Sequence, residues 1–150
     1  MNLELQLREF TRADNVEYSL WFADRSMNRY LGPAWSSEEL DQNLKNEPGS
    51  VLSVFHSSEL IGVVSMALPN SEHKRYGVTG VAVKPQKQRQ GFGAKILLAL
   101  QKYYKTPHGQ EWMGFVNVGN DLAQQFMEKQ GWEKGDIENE MYRYTYIQRA

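Results

Sequence analysis

The chain has 150 residues, a formal net charge of -1 and no cysteine. That length suits one domain with its own core; the near-zero charge argues against a general nucleic-acid binder, and the missing cysteines exclude a disulfide framework, a thiolate zinc site and a cysteine nucleophile. The opening "MNLELQLREFTR" lacks a basic region followed by an apolar run, and the longest strongly apolar run, Ile96 to Leu100, is too short for a bilayer, so a soluble, unexported, cytoplasmic protein is expected, with no membrane partner.

Residues 3 to 9, "LELQLRE", alternate at period two and predict a first strand with Leu3, Leu5 and Leu7 inward. Thr11 and Asp14 offer caps for a helix through "NVEYSLWFAD", and Ser36 with Glu39 forms a capping box for a helix through Lys45. Between them "MNRYLGPAW" reads as a loop or a short helical turn. "VLSVFHS" and "ELIGVVSMAL", joined by a short Ser-rich turn, predict a hairpin, and "YGVTGVAV" a further strand ended by Pro85, which cannot donate to a ladder. A helix from about Gly91 to Tyr104 follows, then a loop, a strand "EWMGFVNV", and a helix opened by Asn120 and Asp121 and stopped near Gly131. The tail "IENEMYRYTYIQ" reads as a final strand or hairpin with Tyr142, Tyr144 and Tyr146 on one face. The fold class expected is a single mixed α/β domain over residues 1–150, built on a mostly antiparallel sheet flanked by helices.

Charge is unevenly spread. No acidic residue lies between Glu72 and Glu111, and eight of the seventeen Lys and Arg fall in that gap: Lys74, Arg75, Lys84, Lys87, Arg89, Lys95, Lys102 and Lys105. Such a run reads either as a solvated face or as a local field for a small polyanion. Within it, a strand feeds a helix through a turn bearing Gly91 and Gly93. That arrangement exposes free N–H groups and the positive end of the helix dipole to an anion. Glycine there permits positive φ and lets a phosphate approach the backbone.

Three phosphate-binding patterns compete. The P-loop pattern G-x-x-x-x-G-K-[ST] is absent, and the dinucleotide fingerprint fails because "GFGAKI" puts Ile96 where the third glycine belongs. Glu111, at about the spacing of a ribose-binding acid, opens its strand where that acid would close it. The third pattern, Q/R-x-x-G-x-G/A, is met by "QRQGFG" from Gln88 to Gly93.

Together, V-x-V-x-P-x-x-Q-x-x-G-x-G from Val81 to Gly93 and N-x-x-A-x-x-F-x-x-x-x-G-W from Asn120 to Trp132 resemble the GCN5-related N-acetyltransferase (GNAT) family, best between about Val51 and Trp132. The resemblance implies a GNAT fold and acetyl-coenzyme A as acyl donor, with no metal. It assigns the pyrophosphate to the turn Gln88, Arg89, Gln90, Gly91, Phe92, Gly93 and Ala94, and the pantetheine arm to the backbone of Val81, Ala82 and Val83. The following strand, "EWMGFVNV", would splay from "GVTGVAV" to admit the thioester. Asn120 would contact the cofactor's arm, although a plain helix cap accounts for it equally; Ala123 and Phe126 are explained nearly as well by packing. The basic stretch would answer the 3'-phosphate and pyrophosphate.

The implied reaction is direct attack of an amine on the thioester, its carbonyl polarised by backbone N–H near the end of the strand. The partner is then an amine acceptor, a small molecule or a protein, and a homodimer is left open. Two side chains common in the family are missing: the strand before the turn carries Thr79 and no carboxylate base, and Met127 stands where a tyrosine acid often follows Phe126. A thiol of pKa ~8.5 leaves readily, whereas a lysine-like amine near ~10.4 is roughly 4 kcal/mol from its reactive form at neutrality; an α-amine near ~8 starts closer. The absent base is therefore the larger gap. Thr79, Glu140 and Tyr142 are weak candidates for catalysis, with Tyr144 on the same last strand; His56 and His73 read as surface histidines, and Trp21, Tyr30 and Trp35 as core or as a roof over the acceptor. The rival readings are a non-catalytic acyl-coenzyme A-binding module and, further off, a nucleotide-binding domain.

Overall fold

The protein is described here by a computed structural model covering residues 4–27, 34–46 and 48–149; Leu3 and Tyr30 lie outside the described residues. The elements in order are β1 (Gln6–Glu9), α1 (Arg12–Leu20), a 3-10 turn (Trp21–Ala23), α2 (Ser37–Asn46), β2 (Val51–His56), β3 (Glu59–Ala67), β4 (Tyr76–Val83), a 3-10 turn (Pro85–Lys87), α3 (Phe92–Tyr104), β5 (Glu111–Asn117), α4 (Asp121–Lys129), β6 (Glu133–Glu138) and β7 (Met141–Ile147). The strands form one seven-stranded sheet in the order β1-β2-β3-β4-β5-β7-β6. β4 and β5 run parallel, and the pairs β1–β2, β2–β3, β5–β7 and β6–β7 are antiparallel.

Local chemistry explains the boundaries. Thr11 caps α1 by accepting from the Asp14 N–H at 3.4 Å, while the Asp14 carboxylate accepts from the Thr11 N–H at 3.0 Å. The helix therefore starts earlier than its apolar pattern suggests. Ser36 and Glu39 make the same reciprocal pair ahead of α2. The β2–β3 turn places Ser57 and Ser58 both at positive φ, and the β6–β7 turn does so with Asn139 and Glu140, the geometry of tight two-residue hairpins.

Two compact units divide the chain: residues 1–65 with 80–105, and residues 66–79 with 106–150. In the first unit β2 is buried on both faces. Phe10, Tyr18, Trp21, Met27, Leu40, Val51 and Val63 pack together on one side, with Trp35 and Phe55 partly buried against them. On the other, Ile96 of α3 seats over Gly62, where an added Cβ would come within 3.2 Å of the Ile96 Cδ1. Tyr18 meets Phe10, Trp21 and Trp35 edge-to-face at 5.4 to 5.8 Å, so Trp21 and Trp35 serve this core.

Beneath α1 lies a buried polar group. Asp14 accepts two hydrogen bonds from Arg8, at 2.7 and 2.9 Å, and one from Ser53 Oγ at 2.7 Å. Ser53 is 0% exposed. Burial by itself would push the Asp14 carboxyl up, but these bonds and the Thr11 N–H outweigh it and hold its pKa at about 2.

In the second unit, α4 and the β5–β7–β6 strands share a core of Val78, Trp112, Val116, Met127, Trp132 and Tyr144. Trp112 stacks on Tyr76 at 5.1 Å and donates to Gln148 Oε1 at 3.0 Å, and Trp132 stacks on Tyr146 at 5.4 Å.

Candidate functional site

The joint between β4 and α3 is built within the first unit. The β4–β5 ladder comprises three pairs, Tyr76↔Trp112, Gly77↔Met113 and Val78↔Gly114; β4 continues past them through Val81, Ala82 and Val83. Lys84 N–H then donates to Ile61 O at 2.8 Å, and the Pro85–Lys87 turn reverses the chain. Arg89 (φ 62°) and Gly91 (φ 83°) both adopt left-handed backbone, and nothing lies within 4 Å of a Cβ added at Gly91. Glycine is needed at 91 for its φ. Gly93 sits inside the first turn of α3 and is not among the positive-φ glycines, so only its small size distinguishes it there.

No side chain caps α3. Its first N–H groups have no acceptor within the helix, and the helix dipole adds to their attraction for an anion. Gln90 and Gly91 are exposed at this N-terminus, Gly93 and Ala94 are half-buried, and Phe92 is buried with its ring at 5.3 Å from that of His56. His56 thus packs on the helix start.

The basic run divides. Lys84 Nζ lies 3.1 Å from Glu59 and 3.5 Å from Glu17, Lys87 lies 3.7 Å from Glu59, and Arg75 lies 3.2 Å from Glu111. The hydrogen bond to Glu59 raises the Lys84 pKa and lowers that of Glu59. Among the described residues, three of the eight cations are therefore matched by acidic side chains. Arg89, exposed on the turn itself, has no acidic partner among the described residues. The sequence carried no sign of this matching, because Glu17 and Glu59 lie in other elements.

Other predicted residues make structural contacts. Asn120 Oδ1 accepts from the Ala123 N–H at 3.2 Å and caps α4. Glu140 is not on the last strand; it occupies the β6–β7 turn at φ 64° because the tight hairpin needs two left-handed residues there. Tyr144 is 0% exposed and donates to Glu128 at 2.8 Å. Burial, with Glu128 beside it, pushes its pKa far above the ordinary tyrosine value, so it holds its proton at neutrality. Tyr142 lies under the Lys134 ammonium at 3.9 Å, and Tyr146 against Trp132. The tyrosine face of β7 is thus largely packing. His73 closes a turn, its carbonyl accepting from the Asn70 N–H at 2.9 Å. Thr79 is exposed on β4.

Met127 is buried, and a Cβ added at Gly114 would lie 3.3 Å from its Cε. It fills the space that glycine leaves in β5. Replacing it by tyrosine adds ring volume to a closed site, at a cost of about 1–3 kcal/mol. Met127→Tyr should lower the melting temperature by several degrees and leave kcat within about threefold. A gain of ~100-fold, the scale of an added general acid, would instead show that thiolate protonation limits the rate.

Among the described residues, no group of three or more His, Cys, Asp or Glu is arranged to hold a metal ion, and no helix is long and apolar enough to cross a membrane.

Comparison with known proteins adds to this geometry. No curated protein sequence matches the chain. Among solved structures, an acetyltransferase from Thermus thermophilus superposes with a TM-score of 0.78 at 18% identity, covering 97% of this chain and 98% of the other. A spermidine N-acetyltransferase from Vibrio cholerae, in complex with CoA and spermine, gives 0.76 at 21% identity, covering 97% and 96%. The ribosomal-protein-S18-alanine N-acetyltransferase from Escherichia coli gives 0.70 at 13% identity, covering 97% and 95%. At these identities the likeness establishes the fold. The sequence pattern of the acetyltransferase (GNAT) family matches residues 12–132, a span that includes the β4–α3 turn and α4, and the chain belongs to that family.

Proposed function

We propose that the chain is an acetyl-coenzyme A-dependent N-acetyltransferase that passes the acetyl group to an amine by direct attack, acting as one functional domain. The observation that carries this reading is the uncapped N-terminus of α3 behind the left-handed turn at Arg89 and Gly91, in a chain of the GNAT family. The likeness to an enzyme held with CoA and spermine supports it. A cytoplasmic setting fits a chain without cysteine.

Acetyl-coenzyme A supplies the activated acyl group as a thioester. The free N–H groups at the start of α3 would bind its pyrophosphate, and Gly93 would let those oxygens reach the backbone. Backbone groups of Val81, Ala82 and Val83 would hold the pantetheine arm, and an N–H at the end of β4 would polarise the thioester carbonyl. β4 carries no carboxylate, so the amine either has a low pKa, loses its proton through water or is served by a carboxylate from another element, and in the first two cases the rate should climb with pH toward the acceptor amine's pKa. A non-catalytic acyl-coenzyme A-binding module is the second reading, favoured by Thr79 and the buried Met127. Thiol release from acetyl-coenzyme A with a panel of polyamines, amino acids and peptide amines decides between them: turnover of any amine establishes the enzyme, and tight binding without turnover the module.

Arg89 is the cation on the turn with no acidic partner among the described residues. If it meets the 3'-phosphate, Arg89→Ala should weaken coenzyme A roughly 10-fold, the scale of one charge-assisted contact, and leave dephospho-coenzyme A nearly unchanged. If it meets the pyrophosphate, both ligands should weaken alike, and less so at high salt. Unchanged affinity for both makes Arg89 a solvated turn residue.

A further inference from the structure

Gln88 stands at the head of the glycine turn, yet its amide is turned inward. Nε2 donates to Val83 O at 3.0 Å, closing the Pro85–Lys87 turn back onto the end of β4. The same nitrogen lies 3.4 Å from Ser26 Oγ and 3.7 Å from Met27 Sδ, 62 and 61 residues away in sequence. Ser26 Oγ spends its own hydrogen on Asp24 Oδ1 at 2.7 Å, so it faces Gln88 as an acceptor. Val83 O and Ser26 Oγ both call for a donor, and this settles which end of the Gln88 amide points inward.

The position of this bond matters. The β4–β5 pairs run from Tyr76 to Val78, and after Val83 the chain turns sharply through two left-handed residues, Arg89 and Gly91. A backbone that must present N–H and C=O groups to a ligand works best when it is already held in the binding geometry. Lys84 N–H on Ile61 O secures the strand from the β3 side. Gln88 secures it from the turn, and through Ser26 and Met27 anchors both to the segment that follows α1.

We propose that Gln88 is a positioning residue: it fixes the end of β4 relative to the glycine turn, so that a ligand spanning both finds them in register. This rests on the cofactor reading above and goes beyond it, because it gives the Gln88 side chain a role without ligand contact. A ligand that touches only the turn should be nearly indifferent to it. Gln88→Met keeps the length and removes the donor, whereas Gln88→Arg keeps donors that can reach Val83 O.

The test compares coenzyme A with 3'-phospho-ADP, which lacks the pantetheine arm, by calorimetric titration of wild type, Gln88→Met, Gln88→Arg and Gly93→Val. The expected result is that Gln88→Met weakens coenzyme A at least ~10-fold and 3'-phospho-ADP less than ~3-fold, with Gln88→Arg restoring coenzyme A to within ~3-fold of wild type. Equal losses for the two ligands, no loss for either, or no rescue by arginine overturns the proposal. If Gln88→Met lowers the melting temperature markedly, Gln88→Leu, which removes the donor without adding a charge, is read by the same criteria. Gly93→Val separates the two failures: if it leaves both ligands bound as in wild type, the cofactor reading itself is wrong, and if it abolishes both while Gln88→Met changes nothing, only the positioning role falls.

Discussion

Gly93→Val should weaken coenzyme A binding by roughly 10²- to 10⁴-fold while leaving the ligand-free protein as stable as wild type. The binding loss follows from sterics at a helix N-terminus. A branched side chain in the first turn of α3 keeps phosphate oxygens from the free N–H groups, and two lost charge-assisted hydrogen bonds at about 1.5–3 kcal/mol each give that range. Stability should hold because Gly93 lies within the helix and not among the positive-φ glycines. Valine has the better helix propensity by about 0.4 kcal/mol, so the melting temperature should stay within ~2 °C. Titration calorimetry and thermal melts on the same preparation check both halves. Unchanged affinity would remove the turn as the phosphate site; a collapse in melting temperature would show that Gly93 is there for packing.

The largest stability effect is expected at Asp14. It takes hydrogen bonds from Arg8, from Ser53 Oγ and from the Thr11 N–H, and only 8% of it is exposed. Asp14→Ala removes the reciprocal cap of α1 and leaves the fully buried Ser53 hydroxyl without its acceptor, a combined cost of about 3 kcal/mol. Arg8 is half-exposed and keeps much of its hydration, so its share is screened. A drop of roughly 10 °C in melting temperature is the corresponding shift for a chain of this length. The pH dependence has a definite sign. The folded pKa, about 2, lies below the ordinary carboxylate value. The carboxylate's contribution is therefore complete above pH ~4 and is lost as pH falls through about 2. Asp14→Asn, which keeps the shape but cannot ionise, should be less stable than wild type at neutral pH, and the gap should narrow between pH 4 and pH 2. A gap that stays constant across that window would mean the charge of Asp14 contributes nothing.

Strand, turn and helix were legible in the chain because their determinants are short-range. Apolar runs bounded by turn residues placed β2 to β5, the Thr11–Asp14 and Ser36–Glu39 pairs marked the starts of α1 and α2, and Gln88 to Gly93 with Asn120 to Trp132 carried the family. Each of these rests on residues a few positions apart, whose geometry the backbone itself dictates. What the side chains do with their charges and protons was decided elsewhere. Lys84 is matched by Glu59, 25 residues earlier, and Asp14 by Ser53, 39 residues later. Met127 fills the space left by Gly114, and the β7 tyrosines that alternation put on one face meet Glu128, Lys134 and Trp132. Composition shows that a cation or a phenol exists; only the order of strands in the sheet brings it a distant partner. A buried group must find such a partner because leaving it unpaired costs more than most single contacts return.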